Sequence, residues 1–106
     1  MELKIGDLQK LRSRRIQCIS LGERRIVLIY HQLKFYALDN ACPHKLASLS
    51  EGYLRDDRIV CPWHGAEFNI ASGESYSPLA SKGTASYPIS VRNQSVFIDF
   101  EDVDNR

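Results

Sequence analysis

The sequence lacks a long apolar run and carries almost no net charge. Its longest uncharged apolar segment, residues 26–30, is far shorter than the roughly 20 residues of a membrane-spanning helix. No apolar stretch follows the first four residues, so we expect no signal peptide and a cytoplasmic protein. A net charge of +1 provides no general attraction for a polyanion. We therefore expect neither a membrane nor a nucleic acid as partner.

Cysteine is also scarce, with three residues in the chain. An odd number argues against a disulfide framework, and thiols without partners are typical of the cytoplasm. Cys42 and Cys61 each lie close to a histidine, whereas Cys18 stands apart from both. Cys18 shares one face of a predicted strand with Ile16, so we expect a buried structural thiol there.

Helical periodicity is nearly absent from the chain. Short alternating segments separated by Gly, Pro, Asn and Asp predict an all-β fold, an antiparallel sandwich or partly open barrel. The length of 106 residues predicts a single domain over residues 1–106. The β-branched apolar run at residues 25–30 predicts a central strand covered on both faces. Residues 3–12 predict a strand and a helical turn, residues 53–60 and 87–100 predict hairpins, and Pro88 indicates a sheet edge.

Two short segments combine thiols with imidazoles. They are Cys42-Pro43-His44 and, after sixteen residues, Cys61-Pro62-Trp63-His64-Gly65. Sulfur and imidazole ligands suit zinc or an iron–sulfur centre. Zinc motifs usually pair Cys with Cys and His with His along the chain. In a Rieske [2Fe–2S] cluster two thiolates hold one iron and two imidazoles hold the other. The mixed order favours the Rieske cluster, and zinc is the alternative.

These segments resemble the two cluster-binding motifs of the Rieske ferredoxin family. Residues 72–74 and 77–80 are similar to the turn and proline loop of that family, and the similarity extends from about residue 35 to 98. The resemblance implies a small cluster-binding subdomain at one end, built from loops at about 40–52, 61–70 and 75–84. It also implies one [2Fe–2S] cluster, with Cys42, His44, Cys61 and His64 as its ligands.

The resemblance implies electron transfer rather than catalysis. We expect the ferredoxin component of a multicomponent, aromatic-ring-hydroxylating dioxygenase system, with a flavin-dependent reductase and a terminal oxygenase as partners. Beyond the cluster ligands only His31 remains, so the mononuclear iron site of two His and a carboxylate cannot form. The alternatives are the small Rieske subunit of an assimilatory nitrite reductase, with the large subunit as partner, and a zinc-stabilised interaction module.

Residues next to the candidate ligands predict docking and redox properties. The positions that we expect around the cluster or against a partner are Lys45, Leu46, Trp63, Gly65 and Pro78. Most relatives have Gly in place of Leu46, so this chain has less backbone freedom in the first loop. High-potential relatives carry Ser and Tyr where this chain has Ala66 and Phe68. Without those hydroxyls the predicted midpoint lies on the order of −150 mV, near the low end of the family's range.

Overall fold

The computed structural model describes residues 2–41, 47–62, 65–76 and 83–100. This part of the chain contains no helix long and apolar enough to cross a membrane. The elements are β1 (Glu2–Asp7), α1 (Leu8–Leu11), β2 (Ile16–Leu21), β3 (Arg24–His31), β4 (Lys34–Asp39), a 3₁₀ helix (Leu49–Glu51), β5 (Tyr53–Arg55), β6 (Arg58–Val60), β7 (Glu67–Asn69), β8 (Ser86–Tyr87), β9 (Ile89–Arg92) and β10 (Ser95–Asp99).

Within the described residues, the strands form three antiparallel sheets. The central sheet has the order β2-β3-β4-β8, the outer sheet β1-β10-β9, and the small sheet β5-β6-β7. The all-β prediction is confirmed, and the sheets remain open instead of closing into a barrel. The short helix α1 begins where the Asp7 carboxylate accepts hydrogen bonds from the backbone N–H groups of Gln9 and Lys10, as an N-cap residue does.

Strand β3 is covered on both faces, as its apolar run predicts. Because side chains alternate along a strand, Ile26 and Leu28 enter one core and Val27 and Ile29 the other, all with 0% exposure. The outer core comprises Leu11, Ile26, Leu28, Ala37, Tyr87, Val96, Ile98 and Phe100. The loop-end core comprises Val27, Ile29, Leu38, Ala47, Leu49, Ile59, Cys61, Ala66, Phe68 and Ile70. The central sheet thus separates two apolar cores.

Pro88 lies where the chain passes between sheets. Strand β8 is at the edge of the central sheet, and β9 is at the edge of the outer sheet. Proline has no N–H to donate to a ladder, so an edge or a break between strands is where a sheet tolerates it. The Pro88 carbonyl accepts a hydrogen bond from the Asp99 N–H at 3.0 Å. The predicted edge position of Pro88 is confirmed.

The expected burial of Cys18 is wrong. Cys18 is exposed, although Ile16 on the same face of β2 packs partly buried against the loop-end core. Strand β2 is an edge strand of the central sheet, and the apolar cover of that face does not extend to Cys18. Alternation correctly indicated which residues share a face, but the extent of burial depends on how far the opposing layer reaches.

Candidate metal centre

The structure describes one of the four predicted ligands. Cys61 follows β6 directly, whereas Cys42, His44 and His64 lie outside the described residues. Among the predicted neighbours, Gly65 is described, and Lys45, Leu46, Trp63 and Pro78 lie outside. What the structure defines is where each of the three predicted loops leaves and rejoins the fold. The assignment of the four ligands stays a prediction.

The first loop is closed by Asn40. Ala41 and Ser48 form an isolated antiparallel bridge on either side of residues 42–46. The buried Asn40 side chain accepts the Ser50 N–H at 2.9 Å, and its backbone carbonyl accepts the Leu49 N–H at 2.7 Å. A buried amide group satisfied in this way holds its position. The two sides of the first loop therefore meet just beyond β4.

The second loop is a tight turn that begins at Cys61. The Cys61 N–H donates to the Ala66 carbonyl at 2.7 Å, which closes residues 61–66. Gly65 adopts φ +67 in this turn, a left-handed conformation that glycine adopts most readily. Cys61 is 1% exposed and Ala66 is 3% exposed. The thiol of Cys61 is therefore buried, and both ends of the turn pack in the loop-end core.

The third loop is fixed by glycines at its two ends. The Thr84 N–H donates to the Gly73 carbonyl at 2.8 Å, across residues 77–82. A Cβ at Gly73 would lie 2.0 Å from the Thr84 carbonyl oxygen, and a Cβ at Gly83 would lie 2.4 Å from that of Gly73. Only glycine allows backbones to approach so closely. Phe68 and Ser75 also form a bridge, so this loop leaves and returns beside β7.

The ends of the first two loops meet in the loop-end core. Ala47 from the first loop belongs to the same core as Cys61, Ala66 and Phe68. Gly52 then brings the backbone after the first loop against β6, since a Cβ there would lie 1.9 Å from the Val60 carbonyl oxygen. The small sheet therefore carries the ends of the first two loops, and this side of the molecule is called the loop end.

A charged network supports the start of the third loop. Arg58 forms a 3.1 Å ion pair with Glu67, and Arg55 forms one of 3.3 Å. The Arg58 guanidinium also lies 3.8 Å from the centre of the Tyr76 ring, at cation–π distance. The Asn69 side-chain N–H donates to the Tyr76 hydroxyl at 2.8 Å. Tyr76 is thereby held from two sides where the chain enters residues 77–82.

Tyr87 is bonded to the end of β4. Its hydroxyl donates to Asp39 Oδ1 at 2.6 Å. Burial and this hydrogen bond to the carboxylate raise the pKa of Tyr87 to about 12, because both disfavour the phenolate. Asp39 directly precedes Asn40, so the contact fixes the strand end from which the first loop starts.

The residues present fit a Rieske cluster. A buried thiol at Cys61 lies beside the end of another loop, whose sequence carries a second Cys and a His, and His64 follows Cys61 by three residues in the sequence. The surrounding described side chains are apolar, with Ala66 and Phe68 both buried. Two thiols and two imidazoles on adjacent loops are the donor set that holds one iron by sulfur and one by nitrogen.

Sequence reasoning missed the residues that position the loops. Asn40 had a usable signal, because an Asn directly after a strand often bonds the backbone of a following turn. Gly73 was expected in a turn, but its contact with Thr84 joins segments whose approach no local pattern indicates. The contact of Gly52 with Val60 also joins two segments whose approach no local pattern indicates. The network of Arg58, Glu67 and Tyr76 has no sequence signature.

Comparison with protein families identifies the class. The family model of the Rieske [2Fe–2S] domain matches residues 2–88. This covers most of the chain, and the chain belongs to the Rieske [2Fe–2S] domain family. Its cofactor is accordingly a Rieske-type [2Fe–2S] cluster.

The chain is similar to ferredoxin subunits of an aromatic-acid dioxygenase. It is 42% identical over 67 residues to the 3-phenylpropionate/cinnamic acid dioxygenase ferredoxin subunits of Escherichia coli strain K12 and Shigella boydii serotype 4 strain Sb227. Each match covers 62% of this chain and 63% of the relative, somewhat less than two thirds of the relative's length.

Solved structures share the fold over nearly the whole chain. A chain of the complex of reduced oxygenase and oxidised ferredoxin in carbazole 1,9a-dioxygenase superposes with a TM-score of 0.82 at 28% identity, over 92% of this chain and 91% of that one. The carbazole 1,9a-dioxygenase ferredoxin of Nocardioides aromaticivorans IC177 gives 0.83 at 18% identity, over 92% and 96%. A putative small subunit of an NADPH nitrite reductase gives 0.80 at 19%, over 93% and 98%. The last two likenesses concern the fold alone.

Proposed function

We propose that the chain is the ferredoxin component of a multicomponent aromatic-ring-hydroxylating dioxygenase system. It accepts single electrons from a flavin-dependent reductase and passes them to a terminal oxygenase, without catalysing a reaction of its own. The observation that carries this proposal is the 42% identity to dioxygenase ferredoxin subunits. The nitrite reductase alternative rests on a likeness of fold at 19% identity, and the zinc alternative has no support from the family.

The proposed ligands are Cys42 and Cys61 on one iron and His44 and His64 on the other. The bound cluster supplies storage for one electron. The chain supplies the rigidity: Asn40 closes the first loop, the Cys61–Ala66 hydrogen bond closes the second, and both are supported by one apolar core. Because the loop ends are held in this way, we expect the loops to rearrange little on electron transfer.

The proposed docking face is the loop end itself. Pro62 and Gly65 are exposed on either side of residues 63–64, so a partner can approach the second loop. We propose that Lys45, Leu46, Trp63, Gly65 and Pro78 border this face, with Lys45 facing an acidic patch of the partner. We further propose that residues 1–106 act as one domain in the cytoplasm.

The proposal is tested by cofactor analysis followed by reconstitution. Protein from cells with working cluster assembly is expected to be red-brown, with two irons and two labile sulfides per chain. It is expected to couple NADH oxidation by a dioxygenase reductase to substrate hydroxylation by the matching oxygenase. Loss of coupling with a fully loaded protein, combined with coupling to a nitrite reductase large subunit, would overturn the dioxygenase assignment.

The docking role of Lys45 is tested separately by salt dependence. Charges at an interface mainly steer encounter and are screened by salt. We expect Lys45→Glu to slow electron transfer several-fold at low ionic strength and little at high ionic strength. The control is Lys4→Glu, in β1 of the outer sheet. Equal rates for the Lys45 variant and the wild type at all salt concentrations would remove Lys45 from the interface.

A further inference from the structure

A groove lined by apolar and basic side chains lies at the tip of the β3–β4 hairpin, beside β9. Its volume is about 400 Å³. The apolar part of its lining includes Tyr30, Leu33, Phe35 and Val91, and the polar part includes Arg12 and Lys34. The Tyr30 and Phe35 rings lie 4.7 Å apart and form the wall of the groove. Ligand grooves on proteins commonly combine apolar walls with a few charged groups.

Leu33 is the unusual residue of this groove. It is 85% exposed and has φ +68, in a two-residue turn whose first residue, Gln32, also has positive φ. A bulky side chain disfavours this left-handed conformation, which Gly or Asn adopts at lower cost. The chain thus keeps a large apolar side chain where it gains no burial and strains the backbone. Strained backbone conformations of this kind cluster at functional sites.

A second hairpin supplies a reference for this turn. Asn93 and Gln94, between β9 and β10, have φ values of 51 and 68, which match those of 52 and 68 at Gln32 and Leu33. There the turn uses Asn at its first position and a polar residue at its second. The backbone geometry of this turn therefore does not require an apolar side chain at Leu33.

The charges around the groove have one sign. Arg12 and Lys34 are exposed, and neither forms an ion pair with another residue of the described chain. No carboxylate contributes to the groove lining within the described ranges. Unpaired cations beside exposed apolar side chains are complementary to carboxylates next to apolar groups.

The groove is remote from the loop end. Strand β4 begins at Lys34 in the groove and ends at Asp39, just before the first loop. Its length separates the two places by roughly 17 Å at about 3.3 Å per residue. A partner bound in the groove therefore leaves the loop end exposed. The groove is suited to holding a partner and not to the passage of electrons.

We propose that this groove anchors an acidic segment of a redox partner, with apolar side chains of that segment packed on Leu33, Tyr30 and Phe35. The identity of the partner rests on the proposed function, whereas the chemistry of the segment rests on the groove alone. Carboxylates of the segment pair with Arg12 and Lys34. The ferredoxin can then stay bound to that partner through the groove while its loop end remains exposed.

The test uses the full holoprotein and two matched variants. Leu33→Asn removes the exposed apolar side chain and suits the left-handed backbone, so the variant is expected to unfold at a higher temperature. Gln94→Asn makes the same backbone improvement in the reference turn. The probe is a synthetic peptide in which Leu and Phe alternate with Glu, and a second peptide replaces each Glu by Lys. Binding is followed by amide chemical shifts of the groove residues, which are remote from the cluster.

The expected result separates the two turns. The Glu peptide should shift groove amides, and Leu33→Asn should weaken its binding by about tenfold, the effect of losing one buried Leu contact. Gln94→Asn should bind like the wild type, and the Lys peptide should bind at least about tenfold more weakly. For the oxygenase component, Leu33→Asn should raise the half-saturating concentration and leave the saturating rate unchanged.

Several outcomes would overturn the anchor. They are the absence of Glu-peptide binding, equal binding of the Lys peptide, unchanged binding by Leu33→Asn, or groove shifts that depend only on the ferredoxin's own concentration. The last result would assign the groove to a second copy of the chain. Peptide binding without electron transfer to any oxygenase would instead count against the proposed function and leave the anchor intact.

Discussion

The two faces of the central sheet support regions that are stabilised in different ways. On one face, Ile26 and Leu28 pack against Val96 and Ile98 of the outer sheet, within a core of aliphatic and aromatic side chains. On the other face, the strands of the small sheet have only three residues each. There the chain relies on backbone contacts at glycine, on Asn40 and on the loops themselves.

This difference predicts how each region responds to change. Apolar burial in the outer core is spread over many contacts, and a core of that kind tolerates moderate changes of shape. The loop end depends on close backbone contacts that only glycine allows and on the hydrogen bonds of Asn40. We expect the cluster to stabilise this end as well, because its proposed ligands lie on loops that are far apart in sequence, and binding energy at such a site is also folding energy. Substitutions should therefore have more specific effects there.

The largest expected effect is loss of the cluster in Cys61→Ser. The thiolate of Cys61 is the proposed link between β6 and the cluster, and a hydroxyl is a poor ligand for iron in such a centre. We expect iron and labile sulfide to fall to background in the purified variant, as measured by chemical analysis and by the visible spectrum.

Cys18→Ser is the matched control, since Cys18 is exposed on β2. We expect it to retain full iron and sulfide content. Iron loss in this variant would connect Cys18 to the cluster, and a fully loaded Cys61→Ser protein would remove Cys61 from the ligand set.

The next largest effect concerns two glycines, one in close backbone contact and one in open space. Gly52→Ala would place a Cβ 1.9 Å from the Val60 carbonyl oxygen, so the backbone must shift, and we expect a loss of about 3 kcal/mol or more in the free energy of unfolding. Gly22→Ala, in the β2–β3 turn with φ +66 and nothing within 4 Å, should cost about 1 kcal/mol.

Urea unfolding of both glycine variants measures these values, with iron content as a second readout. Gly52→Ala should also lose its cluster faster, and Gly22→Ala should not. Equal destabilisation by the two substitutions would show that the close contact of Gly52 with Val60 does not determine the loss of stability.

A smaller effect is expected on the reduction potential. Ala66→Ser introduces a hydroxyl beside Cys61, and a hydrogen bond donated toward the more negative, reduced form favours that form. If the bond contributes about 1 kcal/mol, the midpoint should rise on the order of 40 mV for this one-electron couple. Redox titration measures it.

Ala37→Ser supplies the comparison in the outer core, where Ala37 is equally buried. It should lower stability without moving the midpoint. Phe68→Tyr should raise the midpoint in the same direction as Ala66→Ser. A midpoint for Ala66→Ser at or below that of the wild type would show that the hydroxyl does not reach the cluster or its ligands.

A further effect of about the same size is expected at Tyr87, where the outer core meets the end of β4. Its pKa is raised to about 12 in the folded protein, against about 10 in an unfolded chain. Because the folded state holds this proton more tightly, the stabilisation is complete below about pH 10 and is lost as the pH rises toward about 12. Tyr87→Phe should remove this dependence and cost about 1 kcal/mol at neutral pH.

Urea unfolding across this alkaline range measures the dependence. Tyr53→Phe is the control, since Tyr53 is an exposed residue of β5. It should leave the pH profile of the wild type unchanged. A Tyr87→Phe profile parallel to that of the wild type would mean that the hydrogen bond to Asp39 does not contribute to stability.

Local patterns determined much of the fold. The apolar run of β3 predicted a strand buried on both faces, and alternation predicted the last hairpin, whose turn lies at Asn93 and Gln94. These features depend on side-chain period and turn chemistry, which neighbouring residues specify by themselves. The mixed order of Cys and His likewise predicted the class of cofactor, because a Rieske cluster takes two thiolates and two imidazoles.

Only the tertiary structure decided which surfaces are covered and where separate segments touch. The exposure of Cys18 depends on how far the opposing layer extends over an edge strand. The contacts of Gly52 with Val60 and of Gly73 with Thr84 join backbones that the sequence gives no reason to pair. The exposure of Leu33 likewise depends on which segments fold against its hairpin. Periodicity reports a direction along one strand, whereas burial and close approach depend on what folds against it.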